Sequence, residues 1–205
     1  MISERIGDCR IDILPVVNGL VTEADKVTDA YGGYEAYAAS MGFEGIEGIA
    51  HRGEIEDDFG VNELDIAYAK HLEKFGQVEM PSPAVCRLVD LCAKDGLKVI
   101  PLDMNDEEYS EAYIQCVKTL EFVKEHRVAK KGYRHTFQSP GPEELARDWD
   151  AFVNSHIKGY GRLAETREKF IANQLKDTAR FRKSVLAVIE VERVEGVLKA
   201  LRETE

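Results

Sequence analysis

No stretch of this chain approaches the roughly 18 consecutive apolar residues that a membrane-spanning helix requires, so a spanning segment is excluded from the reading. The first ten residues, MISERIGDCR, lack the apolar core of a signal peptide, and nothing in them directs export. Cysteine is sparse: Cys9, Cys86, Cys92 and Cys116 form no CxxC pair. Neither a zinc knuckle nor a dithiol redox motif is therefore present, and the thiols read as reduced, mostly core-filling groups of a cytoplasmic protein. Positive charge is also short, with 27 Lys and Arg against 38 Asp and Glu and a formal net charge of −11. That balance repels phosphate backbones and anionic lipid at long range, which argues against nucleic acid and against a membrane as partners. HExxH, GxSxG, GxGxxG and the GxxxxGKS/T phosphate loop do not occur. In DMNDEEYSE, Asp103, Asn105 and Glu107 stand at positions one, three and five of a calcium loop. Glu108 and Ile114 then occupy the places that need Gly and Glu, so the loop fails.

What remains is an ordinary globular composition, 44% hydrophobic and 32% charged over 205 residues, expected as one α/β domain covering 1–205. RIDILPVV (10–17), FEGIEGIAHR (43–52), LKVIPLDM (97–104) and SVLAVIEV (184–191) read as strands. Helices are expected over 22–41 with a break at Gly32 and Gly33, over 62–75, and from Pro83 to Gly96. Further helices run from Asn105 or Asp106 to about 126, from Pro142 through Trp149, over 162–178, and after the last strand. Apolar strands alternating with helices imply a mixed or largely parallel central sheet of about four strands, because a parallel crossover needs a helix's length of chain. The basic run KEHRVAKKGYRH (124–135) reads as a solvated helix end and loop, or else as an anion-binding or docking loop. His71, His126, His135 and His156 are scattered and read as surface or capping residues. His51 beside Glu54, Glu56, Asp57 and Asp58 reads as part of a solvated acidic loop.

In open α/β sheets, ligands gather beyond the carboxyl ends of the strands, where loops and helix N-termini converge. This chain places charged and polar groups there: Asn18 after the first strand, Glu47, His51 and Arg52 around the second, Asp103, Asn105 and Asp106 after the third. After the fourth, where a turn would carry Gly or Ser, stand Glu190, Glu192 and Arg193.

Four segments, in order, resemble the TraB/PrgY-like family and its TIKI-type metalloprotease relatives. VLAVIEVERVEGV matches the family's last motif in strand, length and the later Gly196. IEGIAHR resembles the strand that carries Glu and, five residues on, Arg, which places Glu47 and Arg52 on those positions. TREKFIANQL is similar to the family helix with matches at Arg167, Phe170 and Ala172, and VIPLD to the strand ending in Asp, here Asp103. The resemblance implies a metal site with two histidines. This chain has Asn18 where the first would stand and Arg193 where the second would stand, and Glu190 and Glu192 replace two glycines. A guanidinium stays protonated and cannot ligate a metal, so the resemblance implies a scaffold kept and a chemistry lost or rebuilt.

Several functions stay open on these residues. With no cofactor, Arg52, Arg167 and Arg193 pair with the carboxylates and the protein binds or regulates. With a divalent ion such as Mg²⁺ or Mn²⁺, the oxygens of Glu47, Asp103, Glu190 and Glu192 hold it. In a hydrolase, Glu190 or Glu192, with Glu47 nearby, acts as general base while Asn18, Arg52, Arg167 and Arg193 hold a small anionic ligand. Homo-oligomerisation is a further expectation, through the amphipathic helix at 62–75 and the stripe Val194, Val197, Leu198 and Leu201.

Overall fold

The computed structural model describes residues 1–53 and 62–203; the acidic stretch with Glu54, Glu56, Asp57 and Asp58 lies outside the described residues. The chain runs β1 (Ile2–Ile6), β2 (Cys9–Val16), α1 (Glu23–Ala30), β3 (Ala36–Ala39), α2 (Phe43–Ala50), α3 (Glu63–Leu72), α4 (Pro83–Lys94) and β4 (Val99–Pro101). It continues with α5 (Asp106–Cys116), α6 (Thr119–Phe122), α7 (Glu125–Arg134), α8 (Pro142–His156), α9 (Lys158–Ala179), β5 (Ser184–Glu190) and α10 (Val194–Arg202). Five strands form one sheet in the order β1-β2-β5-β3-β4. β2, β5, β3 and β4 are parallel to their neighbours, while β1 is an antiparallel edge joined to β2 by the tight turn at Gly7, whose φ of 56° suits glycine.

The mixed, largely parallel α/β architecture expected from the alternation of strands and helices is thus present, with one more strand than expected. β5 lies between β2 and β3 with Val185 to Ile189 buried, as an unbroken apolar run in a parallel sheet requires. One face of the sheet, with Ile11, Ile13, Ala187 and Ile189, packs on Ile171 and Leu175 of α9 and on Val194 and Val197 of α10. The other face, with Leu14, Val16, Leu186 and Val188, packs on Val27 of α1, Ile46 and Ile49 of α2 and Leu88 of α4. Burying each such aliphatic side chain contributes about 1.5–3 kcal/mol, and this sandwich is what fixes the strand ends in space.

Local expectations fail where tertiary packing overrides propensity. Residues 43–50 are helix α2, because Ile46 and Ile49 recur at helical spacing and bury against α4 and the sheet. The strand in this part of the chain is β3, AYAA, whose helix-forming alanines belong to the expected 22–41 helix; all four residues, Tyr37 included, are buried between β5 and β4. The helix opened by the Asn105 capping box ends at Cys116 instead of continuing to 126, and most of the basic run is α7, which turns Val128, Ala129 and Gly132 inward. The helix read from 162 begins at Lys158. Thr22 precedes α1 without a side-chain cap bond. His71 is buried, its ring nitrogen on the Gly132 carbonyl at 2.9 Å. The stripe Val194, Val197 and Leu198 is part of this chain's own core, so it is not a free face for a second copy.

Over the carboxyl ends of β2 and β5 sits a cap of α3, α7 and α8. Val17 and Val191, just past those strands, pack with Leu72 of α3 and with Leu145 and Ala146 of α8. Helix α9 joins the two regions. Its 22 residues span about 33 Å and run from the cap, at Tyr160, to the sheet, at Leu175.

Candidate functional site

From β2 the chain turns to α1 on one face of the sheet; from β5, the neighbouring strand, it turns to α10 on the other face. Two adjacent strands whose connections diverge in this way leave a crevice beyond their ends. A cavity of about 260 Å³ lies there, lined by Asn18 after β2, Glu192 and Arg193 after β5, Tyr68 of α3, Tyr109 of α5, Trp149 and Asp150 of α8, and Tyr160 and Arg167 of α9.

The turn from 190 to 193 is closed by the Arg193 amide donating to the Glu190 carbonyl at 2.9 Å, and it sends its three charges to three places. Glu190 accepts from the Ser40 hydroxyl at 3.1 Å and lies 3.8 Å from Arg167. Arg167 in turn donates its Nε to Asp103 Oδ2 at 2.8 Å, while the other oxygen of Asp103 accepts from the Met104 amide. Arg193, only 4% exposed, donates to Glu168 Oε1 at 3.0 Å and to Asp150. A side chain at Gly196 would overlap the Glu168 carboxylate, which explains why the first turn of α10 carries glycine. Among the described residues, Glu192 makes no ion pair, and its Oε2 has no hydrogen-bond partner.

Among the described residues, four buried side-chain atoms have no hydrogen-bond partner: Asn18 Oδ1, Tyr68 OH, Glu192 Oε2 and Glu23 Oε2. The first three belong to residues lining the one cavity. A buried polar atom left unpaired costs about 1–3 kcal/mol, so three in one wall give this cavity hydrogen-bonding capacity that the protein itself does not use.

The electrostatics follow from burial and from crowded carboxylates. Burial, reinforced by the neighbouring Glu190, pushes Glu192 up to about 7. Glu190 is raised by burial, against the pull of Arg167. Asp150 and Glu168 are raised by burial in spite of Arg193. Burial works against the charge on Arg167, but Glu190 and Asp103 more than offset it and hold the guanidinium charged. Burial and then the charge on Glu192 raise Tyr68, which stays a hydrogen-bond donor. At neutral pH the free carboxyl of Glu192 therefore divides between acid and carboxylate and can either donate or accept a proton.

Of the residues expected at strand ends, the fold brings Asn18, Asp103, Glu190, Glu192 and Arg193 to one rim, where Arg167 of α9 joins them. Glu47 and Arg52 do not join them: Glu47 lies on α2 within 4.0 Å of His51, and Arg52 pairs with Asp90 of α4 at 2.7 Å. The residue that stands at the end of β3 is Ser40. Asp103, read as a metal ligand, has both oxygens engaged, and no group of three or more His, Cys, Asp or Glu among the described residues is arranged to hold a metal ion. Ser40, Tyr68, Tyr109, Trp149, Asp150 and Glu168 were not foreseen. Trp149, the only tryptophan of the chain, was the one available signal, whereas Asp150 and Glu168 are two acids among 38.

Set against protein-family models, curated proteins and solved structures, the chain matches none. The functional reading rests on this geometry.

Proposed function

We propose that this protein is a soluble, cytoplasmic binding or regulatory protein that receives a small polar molecule in the cavity beyond β2 and β5. The observation that carries the reading is the convergence of Asn18 Oδ1, Tyr68 OH and Glu192 Oε2, all partnerless, on one cavity. The reading is also supported by both arginines being held by carboxylates, which makes them fixed parts of the wall. The four thiols, all free, fit a reducing compartment. Kinship with the TraB/PrgY-like family belongs to this proposal: of the positions matched to its motifs, Asn18, Asp103, Arg167 and Arg193 meet at the rim, while Glu47 and Arg52 lie away from it, and the histidine positions are filled by an amide and a guanidinium.

The test uses Trp149, whose emission reports the cavity without a label. Screening small polar compounds against the wild type and against Ala164→Phe, which fills the cavity from α9, is expected to give saturable emission changes in the wild type alone. Compounds that act equally on both proteins would refute the reading.

A second reading, a hydrolase, is favoured by one observation: the Glu192 carboxyl and the Tyr68 hydroxyl stand unpartnered in the same cavity wall, where burial pushes Glu192 up to about 7. On that reading, turnover of ester or amide substrates rises through about pH 7 as Glu192 becomes the base, and Glu192→Gln removes it. Turnover unaffected by that substitution would remove Glu192 as the base, and no turnover in the wild type would remove the hydrolase reading and leave the binding one.

A further inference from the structure

Building on the binding-site reading, we infer that the occupant of the cavity is a compact organic cation, an amine or quaternary ammonium, seated against Glu192 between aromatic rings. Three features of the wall select it. The carboxylates at the rim outnumber the guanidiniums, since Asp103 and Glu190 surround Arg167 while Asp150 and Glu168 surround Arg193. Glu192 adds a further carboxylate, whose Oε2 has no hydrogen-bond partner and which makes no ion pair among the described residues. An anion entering here finds both guanidiniums already engaged and an excess of negative charge facing it, whereas a cation supplies what Glu192 lacks.

The second feature is the aromatic lining. Tyr68 and Trp149 stand 5.9 Å apart, and Tyr109 and Tyr160 line the same cavity from α5 and α9. Ring faces attract a cation by about 0.5–2 kcal/mol each, and rings arranged around a pocket recognise quaternary ammonium groups. The third feature is size. About 260 Å³ falls below the roughly 300–1,000 Å³ of sites for drug-sized ligands, so nucleotides are too large and a small amine fits.

The inference has a thermodynamic signature. Glu190 and Arg193 from its own turn and Asp150 from α8 act on Glu192, and Tyr68 and Asp65 of α3, Tyr109 of α5 and Tyr160 and Arg167 of α9 line the same cavity. Asp65 is raised by burial. A cation binds the ionised form of Glu192 better than the protonated form, so its affinity rises with pH across neutrality; an anion behaves oppositely.

The experiment follows Trp149 emission in the full chain during titration with choline, with 3,3-dimethyl-1-butanol as its uncharged isostere, and with butyrate. Choline carries a fixed charge, so any pH dependence belongs to the protein. Choline is expected to bind about tenfold more tightly than the isostere and severalfold more tightly at pH 8 than at pH 6. Glu192→Gln, with folding confirmed by circular dichroism, is expected to abolish that pH dependence. Ala164→Phe, which leaves Glu192 intact, is expected to abolish binding. The inference is overturned if the isostere or butyrate binds as well as choline, or if choline affinity falls as pH rises. Binding of either competitor in place of choline would spare the cavity as a ligand site and remove only the cation. If none of the three perturbs Trp149, the binding-site reading falls with it.

Discussion

The two sides of the cavity are built on opposite principles. On one side, Arg167 and Arg193 are each enclosed by two carboxylates, so that charge is buried but paired. On the other, Asn18, Tyr68 and Glu192 present polar atoms that are buried and unpaired. The paired side contributes rigidity, because removing either partner strands a charge; the unpaired side lowers stability in exchange for reactivity. The proposed binding site is the Glu192 side, where the unpartnered atoms stand.

The largest effect is expected from Arg193→Ala, which leaves Asp150 and Glu168 without their cation. A loss of about 3–5 kcal/mol in denaturant unfolding is expected, moderated because Asp150 is partly exposed. A loss under 1 kcal/mol would show that the paired side is not structural. Next comes Glu192→Gln. The folded-state value of about 7 against an ordinary 4.5 means that ionising Glu192 disfavours the native state. Its contribution is therefore neutral below about pH 4.5, and stability is lost as pH rises from there to about 7, where the penalty levels off. The substitution is expected to raise stability at pH 8 by about 2–3 kcal/mol and to leave stability at pH 4 nearly unchanged, as read by parallel urea titrations. Destabilisation at pH 8 would place Glu192 on the paired side.

Tyr68→Phe removes an unpartnered hydroxyl, so thermal unfolding is expected to show a gain of about 1 kcal/mol. A loss of 2 kcal/mol or more would mean that the hydroxyl already has a partner. The smallest effect is expected from Arg52→Ala. Its pair with Asp90 is largely exposed, and such pairs contribute about 0.2–1 kcal/mol. The substitution is also expected to leave the Trp149 response to ligands unchanged, and a changed response would restore Arg52 to the site.

The strand ends were legible in the sequence to an uneven degree. β2, β4 and β5 declare themselves by continuous apolar runs, and the residues just past them, Asn18, Asp103, Glu190, Glu192 and Arg193, were placed correctly at the rim. The strand expected over 43–52 stands instead at Ala36–Ala39, because a four-residue strand of mostly alanine carries no strand signal of its own. Arg52, attached to that misplaced strand, moved with it to the α4 side. The cap residues of α3 and α8 were invisible for a different reason: Tyr68, Trp149 and Asp150 look like ordinary positions on amphipathic helices, and nothing local says which helix will be folded over the sheet.

The sequence by itself determined the class of fold and the charges at three strand ends, because hydrophobic periodicity and turn position are local properties of the chain. Only the tertiary structure decided which of those charges are neutralised. Arg193 meets Asp150 and Glu168, 43 and 25 residues away, and Arg167 meets Asp103, 64 residues away. Pairing across such separations depends on how α8 and α9 dock against the sheet, and the same docking leaves Glu192 as the carboxylate without a partner.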